Sequence, residues 1–426
     1  MATQIDLPPE LLEAIVCKLD SAVDMASCAL VCRAFVVPSQ RQLYRKIMLT
    51  FAFLTWRPVP NLERRLALLQ RFPHIGTYIR DLSIDIPASA EGQQAMGNLL
   101  DCIFRGPGPC IVERLAVDFH GSQWDKLSPV IVNAFSNVFS SSSSVQRCHI
   151  LRVAALPRDI VLQIAHSVKL LSLIHITGIL SPDDTFAQTN DLLVWQHSLL
   201  EELMIPAGLT STAISRSYRF LFDLPHLTRL STPLSAFRVG LAGTGFSGLL
   251  HRLQTLTLDC VALIESLDLP MLPELTCLTL AFVRGTTSTA DEQYTLPEYI
   301  VSALGGLPTP KLKRLTLRVL VPASFAFDVR TPRPDWCSPP ELKICAVHDG
   351  QYTAVNIHMI ECILGYIDPF AVCDDSPGSH FAHVFDGFMT FMTEALTGAF
   401  PGMATEKLSF GKRKAQDRVN YMDHLP

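Results

Sequence analysis

A glycine-rich segment is the first candidate for chemistry in this sequence. Residues 243–248 read GTGFSG, the G-x-G-x-x-G spacing of a dinucleotide-binding loop, and Asp259 ends the strand predicted after it. A dinucleotide site needs the third glycine inside a full crossover helix and an acidic residue about 20 positions further on. Residues 249–252 leave room for barely one helical turn. We therefore interpret the segment as a flexible loop between structural repeats.

A second candidate is a group of residues of the types that bind metal ions. It contains His380 and His383, with further ligand types upstream at Cys362, Cys373, Asp374 and Asp375. No pair in the group has a recognised zinc-binding spacing, and the aspartates lie in an ordinary turn before a helix. Cys28 and Cys32 share a helix face and are most simply small buried side chains. Because the sequence also contains no nucleophile elbow and no phosphate-binding loop, we predict no enzymatic activity, no cofactor and no metal.

The composition limits the classes of protein to which the chain can belong. It has 426 residues, 48% of them hydrophobic and 18% charged, with a formal net charge of -5. This length exceeds the roughly 250–300 residues that one core organises, which predicts several domains or a stack of repeats. There is no extended basic stripe for nucleic acid and no run of about 20 apolar residues for a membrane.

The cysteines and the termini indicate a compartment. Twelve cysteines occur without a C-x-x-C pair, and the amino terminus has no basic flank before an apolar run. Both features are typical of a protein in the reducing cytosol or nucleus. The basic residues 412–414 are interpreted as a solvated terminus, with a nuclear address as the alternative.

The first fifty residues are predicted to form three short helices. Two prolines and Glu10 favour a helix start, and Leu12, Ile15, Val16 and Leu19 follow at helical spacing. Asp24 is expected to cap a second helix that ends at Val31, and Pro38 and Ser39 to separate it from a third helix over residues 40–45. These helices carry more apolar surface than they can bury among themselves, so a partner surface is expected.

Three segments of this region carry a resemblance to a known family. Residues 7–12 (LPPELL), 29–35 (ALVCRAF) and 38–41 (PSQR) resemble an F-box, in the form common to fungal F-box proteins. Met25 stands where leucine is usual, and the tryptophan that many F-boxes carry near the end of the motif is absent. The resemblance implies docking onto a Skp-type adaptor and, through it, onto a cullin-RING ubiquitin ligase.

The resemblance also identifies candidate adaptor contacts. They are Leu7, Pro8, Leu11, Leu12, Ile15, Leu30 and Val31. The alternative is that the helices only cap the domain that follows. Alanine at Leu12 or Leu30 should distinguish the two, because it would weaken adaptor binding in the first case and the fold in the second.

The remaining residues repeat one apolar spacing, an apolar residue followed three and five positions later by two more. The clearest copies begin at Leu253, Leu275 and Leu312; others begin at Ile79, Val112, Val145 and Leu200, and weaker ones at Leu171, Leu227 and Leu342. Successive copies are roughly 22 to 37 residues apart, which is the length of a short strand plus a returning helix or loop. The pattern resembles an irregular leucine-rich-repeat solenoid. It departs from that family because the asparagine or cysteine that usually recurs three residues past each strand is absent. A non-repetitive α/β domain is the alternative.

We therefore predict an α/β fold with three parts. Residues 1–48 form the F-box domain, and residues 49–400 form a leucine-rich-repeat-like solenoid with a short-strand parallel sheet and convex helices or loops. Residues 401–426 form a tail. Within the solenoid, a helix at about 380–397 is expected to seal the open end of the stack, with partner binding by that helix as the alternative.

The favoured hypothesis is a non-catalytic substrate-recognition subunit of a Skp-cullin-F-box type ubiquitin ligase that bridges the adaptor to a target protein. Outward strand residues that could bind the target are Arg314, Thr316, Arg318 and His348, a basic group that would suit an acidic or phosphorylated segment. The early strands offer Asp81, Asp85 and Asp118 instead. The alternatives are an interaction scaffold that does not drive ubiquitination, and an enzyme that uses the glycine segment or the two histidines.

Overall fold

The computed structural model describes the greater part of the chain. The described residues are 7–19, 21–49, 59–106, 108–140, 144–176, 179–180, 198–205, 224–241, 246–260, 269–283, 309, 311–321, 359–366, 385, 388–390, 392–393, 396 and 408–412. They fall into two compact units, residues 1–201 and residues 202–426. Within the described residues, no helix is long and apolar enough to cross a membrane.

The chain begins with three helices, α1 (Pro9–Val16), α2 (Ala22–Val31) and α3 (Arg33–Arg45). The predicted cap of α2 is wrong, because the Ser21 hydroxyl, and not Asp24, accepts the backbone N–H groups of Val23 and Asp24. The predicted break at Pro38 is also wrong. Pro38 lies inside α3 and is buried with Ser39, and α3 packs against both other helices. Burial on two sides therefore outweighs the hydrogen bond that a proline removes from a helix.

Unit 1 continues as alternating strands and helices. In chain order they are β1 (Lys46–Leu49), α4 (Val59–Arg71), a 3-10 helix (Pro73–Tyr78), β2 (Asp81–Asp85), α5 (Ala90–Arg105), β3 (Arg114–Gln123), a 3-10 helix (Trp124–Lys126), α6 (Pro129–Ser140), β4 (Arg147–Ala154), β5 (Leu156–Pro157), α7 (Arg158–Ser167), β6 (Leu170–Ile174) and β7 (Ile179–Leu180). Strands β1, β2, β3, β4 and β6 pair in that order, each parallel to the next, and β5 pairs with β7.

The register of this sheet pairs a buried residue of each strand with a buried residue of the neighbouring strand. Leu82, Leu115, Cys148 and Leu171 are successive partners, and all four are buried. The weak repeat predicted to begin at Leu171 is therefore shifted by three residues, because Val168 takes the first position and is also buried. Since the side chains of a strand alternate between faces, this register fixes which residues point away from the core.

Unit 2 has a similar alternation. Its elements are β8 (Glu202–Met204), β9 (Arg229–Pro233), α8 (Leu234–Leu241), α9 (Phe246–Leu250), β10 (Thr255–Asp259), β11 (Cys277–Val283), β12 (Arg314–Val321), β13 (Met359–Tyr366) and β14 (Leu408–Lys412). Each strand pairs in parallel with the next one along the chain. Leu230, Leu256, Leu278, Leu315 and Ile360 form the buried row of this unit.

The end of unit 2 contains helical residues where a helix was predicted. Phe385, Phe388, Met392 and Leu396 are helical and buried. The Phe388 ring meets the Phe410 ring of β14 edge to face, with 6.4 Å between the centroids. The helix therefore packs beside the last strand that the structure describes. The repeat predicted at Leu342 lies outside the described residues. The architecture is thus an N-terminal helical region followed by a mixed α/β region with parallel strands.

Candidate functional site

One face of α1 presents apolar side chains to solvent. Leu7 lies just before the helix, and Leu11 and Ile15 lie within it, four and eight residues after Leu7. The three side chains therefore lie along one side of the helix. All three are exposed. Leu12 is only 7% exposed and, with Val16, faces the interior of the helical region. The prediction that Leu12 contacts a partner is therefore wrong, because its side chain already belongs to the core of the chain itself.

The end of α2 also exposes apolar side chains. Leu30 is 87% exposed, and its neighbour Val31 is also exposed. Sequence reasoning missed two further exposed residues, Val23 on α2 and Val37 on α3. Val23 could have been found, because it precedes Leu30 by seven residues and so lies on the same face of the helix. We call the set of Leu7, Pro8, Leu11, Ile15, Val23, Leu30, Val31 and Val37 the apolar face.

The helices that carry the apolar face are held by contacts on their other sides. Met25 of α2 is buried, and Glu13 of α1 forms an ion pair with Arg41 of α3. The guanidinium of Arg41 also lies over the Tyr78 ring, 5.9 Å from its centroid. Exposed apolar side chains on a supported framework are typical of a protein-binding surface. They offer no group that could act as an acid, a base or a nucleophile.

The residues predicted to bind a target lie mainly on β12. Arg314, Thr316 and Arg318 alternate with the buried Leu315 and Leu317, as expected for one face of a strand. Arg314 is exposed, but Thr316 is only 6% exposed, which corrects the expectation that it is available to a partner. Its hydroxyl lies 3.4 Å from a carboxylate oxygen of Glu361 on β13. His348 lies outside the described residues.

A polar cluster that the sequence analysis did not predict joins strands β2, β3 and β4 of unit 1. The Arg152 side chain donates from Nε to both oxygens of Asp118, at 2.9 and 3.1 Å, and its Nη2 lies 2.9 Å from Nδ1 of His120. On the other side of the ring, His120 Nε2 lies 3.3 Å from an oxygen of Asp85. Both His120 and Arg152 have left-handed backbone angles, with φ of 52° and 51°.

The geometry of this cluster is that of a closed ion-pair network. The hydrogen bond to Asp118 raises the pKa of Arg152, although burial opposes the shift. A guanidinium can only donate, so Nδ1 of His120 is the acceptor in its contact with Arg152, and Nε2 faces Asp85. Asp85, Asp118 and His120 are metal-ligand types with atoms within 4.8 Å of one another. The Arg152 guanidinium already balances the charge of Asp118 and contacts Nδ1 of His120, so a cation at this position would have to displace it.

The structure describes part of the glycine segment and three of the cysteines that the sequence analysis considered for chemistry. Residues 246–248 belong to the five-residue helix α9, which corrects the interpretation of the whole glycine segment as a loop; residues 243–245 lie outside the described residues. Cys32 is exposed and Cys28 half-buried, so the expectation that both are buried is wrong. Cys362 is buried in β13, and burial raises the pKa of its thiol to about 12. His380, His383, Cys373, Asp374 and Asp375 lie outside the described residues.

Comparison with known protein families supports the interpretation of the amino-terminal helices. A family described as F-box-like matches residues 5–50, which contain α1, α2, α3 and β1. This match supports an F-box protein, and it covers the residues that carry the apolar face. None of the curated proteins compared with this chain matches it.

Proposed function

We propose that this chain is the substrate-recognition subunit of a Skp-cullin-F-box type ubiquitin ligase, without catalytic activity of its own. The observation that carries the proposal is the apolar face, which lies within the residues that match the F-box-like family. F-box domains generally bind a Skp-type adaptor within cullin-RING ligases, so we assign the apolar face to that adaptor. The α/β region would then hold the target protein.

The physical basis of this function is effective concentration. A target held by the same chain as the adaptor meets the ubiquitin-loaded enzyme repeatedly, so a bimolecular lysine attack becomes nearly intramolecular. This role needs binding surfaces at fixed positions and no reactive groups.

We also propose that the α/β region is an irregular leucine-rich-repeat-like solenoid. In its favour, the recurrent apolar spacing coincides with parallel strands in both units, and the two later positions of each clear copy are buried. The target would bind the polar face of these strands. A location in the cytosol or nucleus fits the described cysteines, all of which are free thiols.

Adaptor binding can be tested with exposed residues alone. The double variant Leu11→Ala/Leu30→Ala should weaken binding of a purified Skp-type adaptor at least tenfold, because truncation of a central apolar contact costs about 1 kcal/mol or more. The melting temperature should not change, since both side chains are exposed in the free chain. Affinity would be measured by calorimetry on the full chain.

The matched control is Met271→Ala in unit 2, where the methionine is 69% exposed but lies far from the amino-terminal helices in sequence. It should leave adaptor affinity unchanged. If the double variant and the unmodified chain bind the adaptor with equal affinity, the apolar face is not part of the interface. Reconstitution with the cullin complex then separates a ligase subunit from a scaffold, since only the former transfers ubiquitin to a co-purified protein.

A further inference from the structure

Two arginines lie side by side on unit 1. Arg114 of β3 and Arg147 of β4 are register partners on adjacent parallel strands, which are about 4.8 Å apart. Arg114 lies 3.8 Å from a carboxylate oxygen of Asp81, whereas Arg147 is exposed and has no carboxylate within ion-pair distance among the described residues. Like charges at paired positions are unfavourable unless an anion lies between them. Since Asp81 is a single carboxylate beside two arginines, this row of register partners carries an excess of positive charge.

Two buried polar side chains lie next to the arginines on the same face. His149 follows Arg147 by two residues, and Ser172 of β6 is its register partner. His149 is 1% exposed and Ser172 is 0% exposed. Within the part of the chain that the structure describes, both ring nitrogens of His149 and the hydroxyl of Ser172 lack a hydrogen-bond partner. A buried polar group left unpaired is unfavourable because it has lost its hydrogen bonds to water, so two of them on neighbouring strands require an explanation.

The ionisation of His149 defines what these groups can bind. Burial lowers the pKa of His149 to about 4, with contributions from the positive charges of Arg114 and Arg147. At neutral pH the ring is therefore uncharged and offers one N–H donor. Together with the guanidinium of Arg147 and the hydroxyl of Ser172, it forms a set of donors that runs from the surface inward.

We propose that Arg114, Arg147, His149 and Ser172 form a binding site for a phosphate group. A tetrahedral oxyanion can accept hydrogen bonds on several oxygens at once, which matches donors on three adjacent strands better than the two oxygens of a carboxylate. The anion would approach from the exposed Arg147. The proposal concerns the chain alone and does not depend on adaptor binding.

The test is calorimetric titration of the full chain with inorganic phosphate, in an amine buffer at constant ionic strength with chloride as the reference anion. Arg147→Gln should weaken phosphate binding at least tenfold. The matched control is Arg64→Gln, an exposed arginine of α4, which should bind phosphate like the unmodified chain. Absence of binding, or equal losses in both variants, would overturn the proposal.

Ser172→Ala gives a readout that a merely structural serine would not give. Without phosphate its melting temperature should equal or exceed that of the unmodified chain, because the variant removes an unpaired buried hydroxyl. With phosphate, its gain in melting temperature should be smaller than that of the unmodified chain. An unchanged gain would contradict a role for Ser172 in the site.

The source of the phosphate group is resolved by a second titration. This titration compares the affinities of three ligands: a short peptide that contains phosphoserine, the same peptide with serine, and glycerol phosphate. Tighter binding of the phosphopeptide than of glycerol phosphate supports a phosphorylated side chain as ligand, and equal binding supports a free phosphate ester. Binding of the unphosphorylated peptide with the same affinity as the phosphopeptide would overturn the site.

Discussion

His149 should make the stability of unit 1 fall as the pH is lowered. Its pKa is about 4 in the folded chain and 6.5 in the unfolded chain. Above pH 6.5 the ring is neutral in both states and contributes no pH dependence. Between pH 6.5 and about 4 the unfolded chain takes up a proton that the folded chain excludes. Acidification therefore favours unfolding over this range, since a lower pH stabilises the state that binds more protons.

The size of the effect follows from the difference between the two pKa values. The linkage relation gives a loss of about 2 kcal/mol between pH 7 and pH 5, rising to roughly 3 kcal/mol when the shift is fully expressed. For a folding unit of about 200 residues, 2 kcal/mol corresponds to a decrease of about 4–8 °C in melting temperature. Other groups also titrate, so the slope of a variant must be compared with that of the unmodified chain.

The assay is thermal unfolding followed by circular dichroism at half-unit steps from pH 7 to pH 5, in amine and chloride buffers that contain no oxyanion. His149→Gln removes the titrating ring and should flatten the slope by the amount given above. His226→Gln, at an exposed position of unit 2, serves as the control and should keep the slope of the unmodified chain. The reasoning is refuted if His149→Gln and the unmodified chain lose stability in parallel.

Two further predictions concern the amino-terminal helices. Leu12→Ala should lower the free energy of unfolding by about 2–5 kcal/mol, because it removes a buried side chain, whereas Leu30→Ala should leave it unchanged; urea unfolding monitored by circular dichroism distinguishes the two. Ser21→Ala should cost about 1 kcal/mol in the same assay, because it removes the cap of α2, and Asp24→Ala should cost less; a larger loss at Asp24 would mean that the cap is wrongly placed.

Much of the strand arrangement could be predicted because the core imposes a period on the sequence. Strands β2, β3, β4, β8, β10, β11 and β12 lie where the apolar spacing predicts them. Strand β13 has the same spacing at Ile357, Ile360 and Cys362 and was overlooked. Strand β14 was missed because it contributes only Leu408 and Phe410. Strand β1 was missed because it follows α3 without a turn signal.

The functional surfaces were harder to predict than the strands. Leu11, Leu12, Ile15 and Val16 are all apolar, yet two face solvent and two face the core. Sequence alone cannot separate these faces, because a partner surface and a core both select for apolar side chains. The ion-pair network of Asp85, His120 and Arg152 could not be predicted from the sequence. Its members are about thirty residues apart and come together only through the register of the strands.

The position of the apolar face relative to the sheet of unit 1 is set by backbone hydrogen bonds. Helix α3 ends at Arg45 and β1 begins at Lys46, so no linker separates them. The N–H of Arg80 donates to the Arg45 carbonyl at 2.9 Å, and β1 then pairs with β2 along its whole length. Under the proposed function, a target held on this sheet would therefore keep a fixed distance and orientation to the adaptor. A subunit that acts by raising effective concentration gains from such a connection, because a flexible tether would spread the target over many unproductive positions.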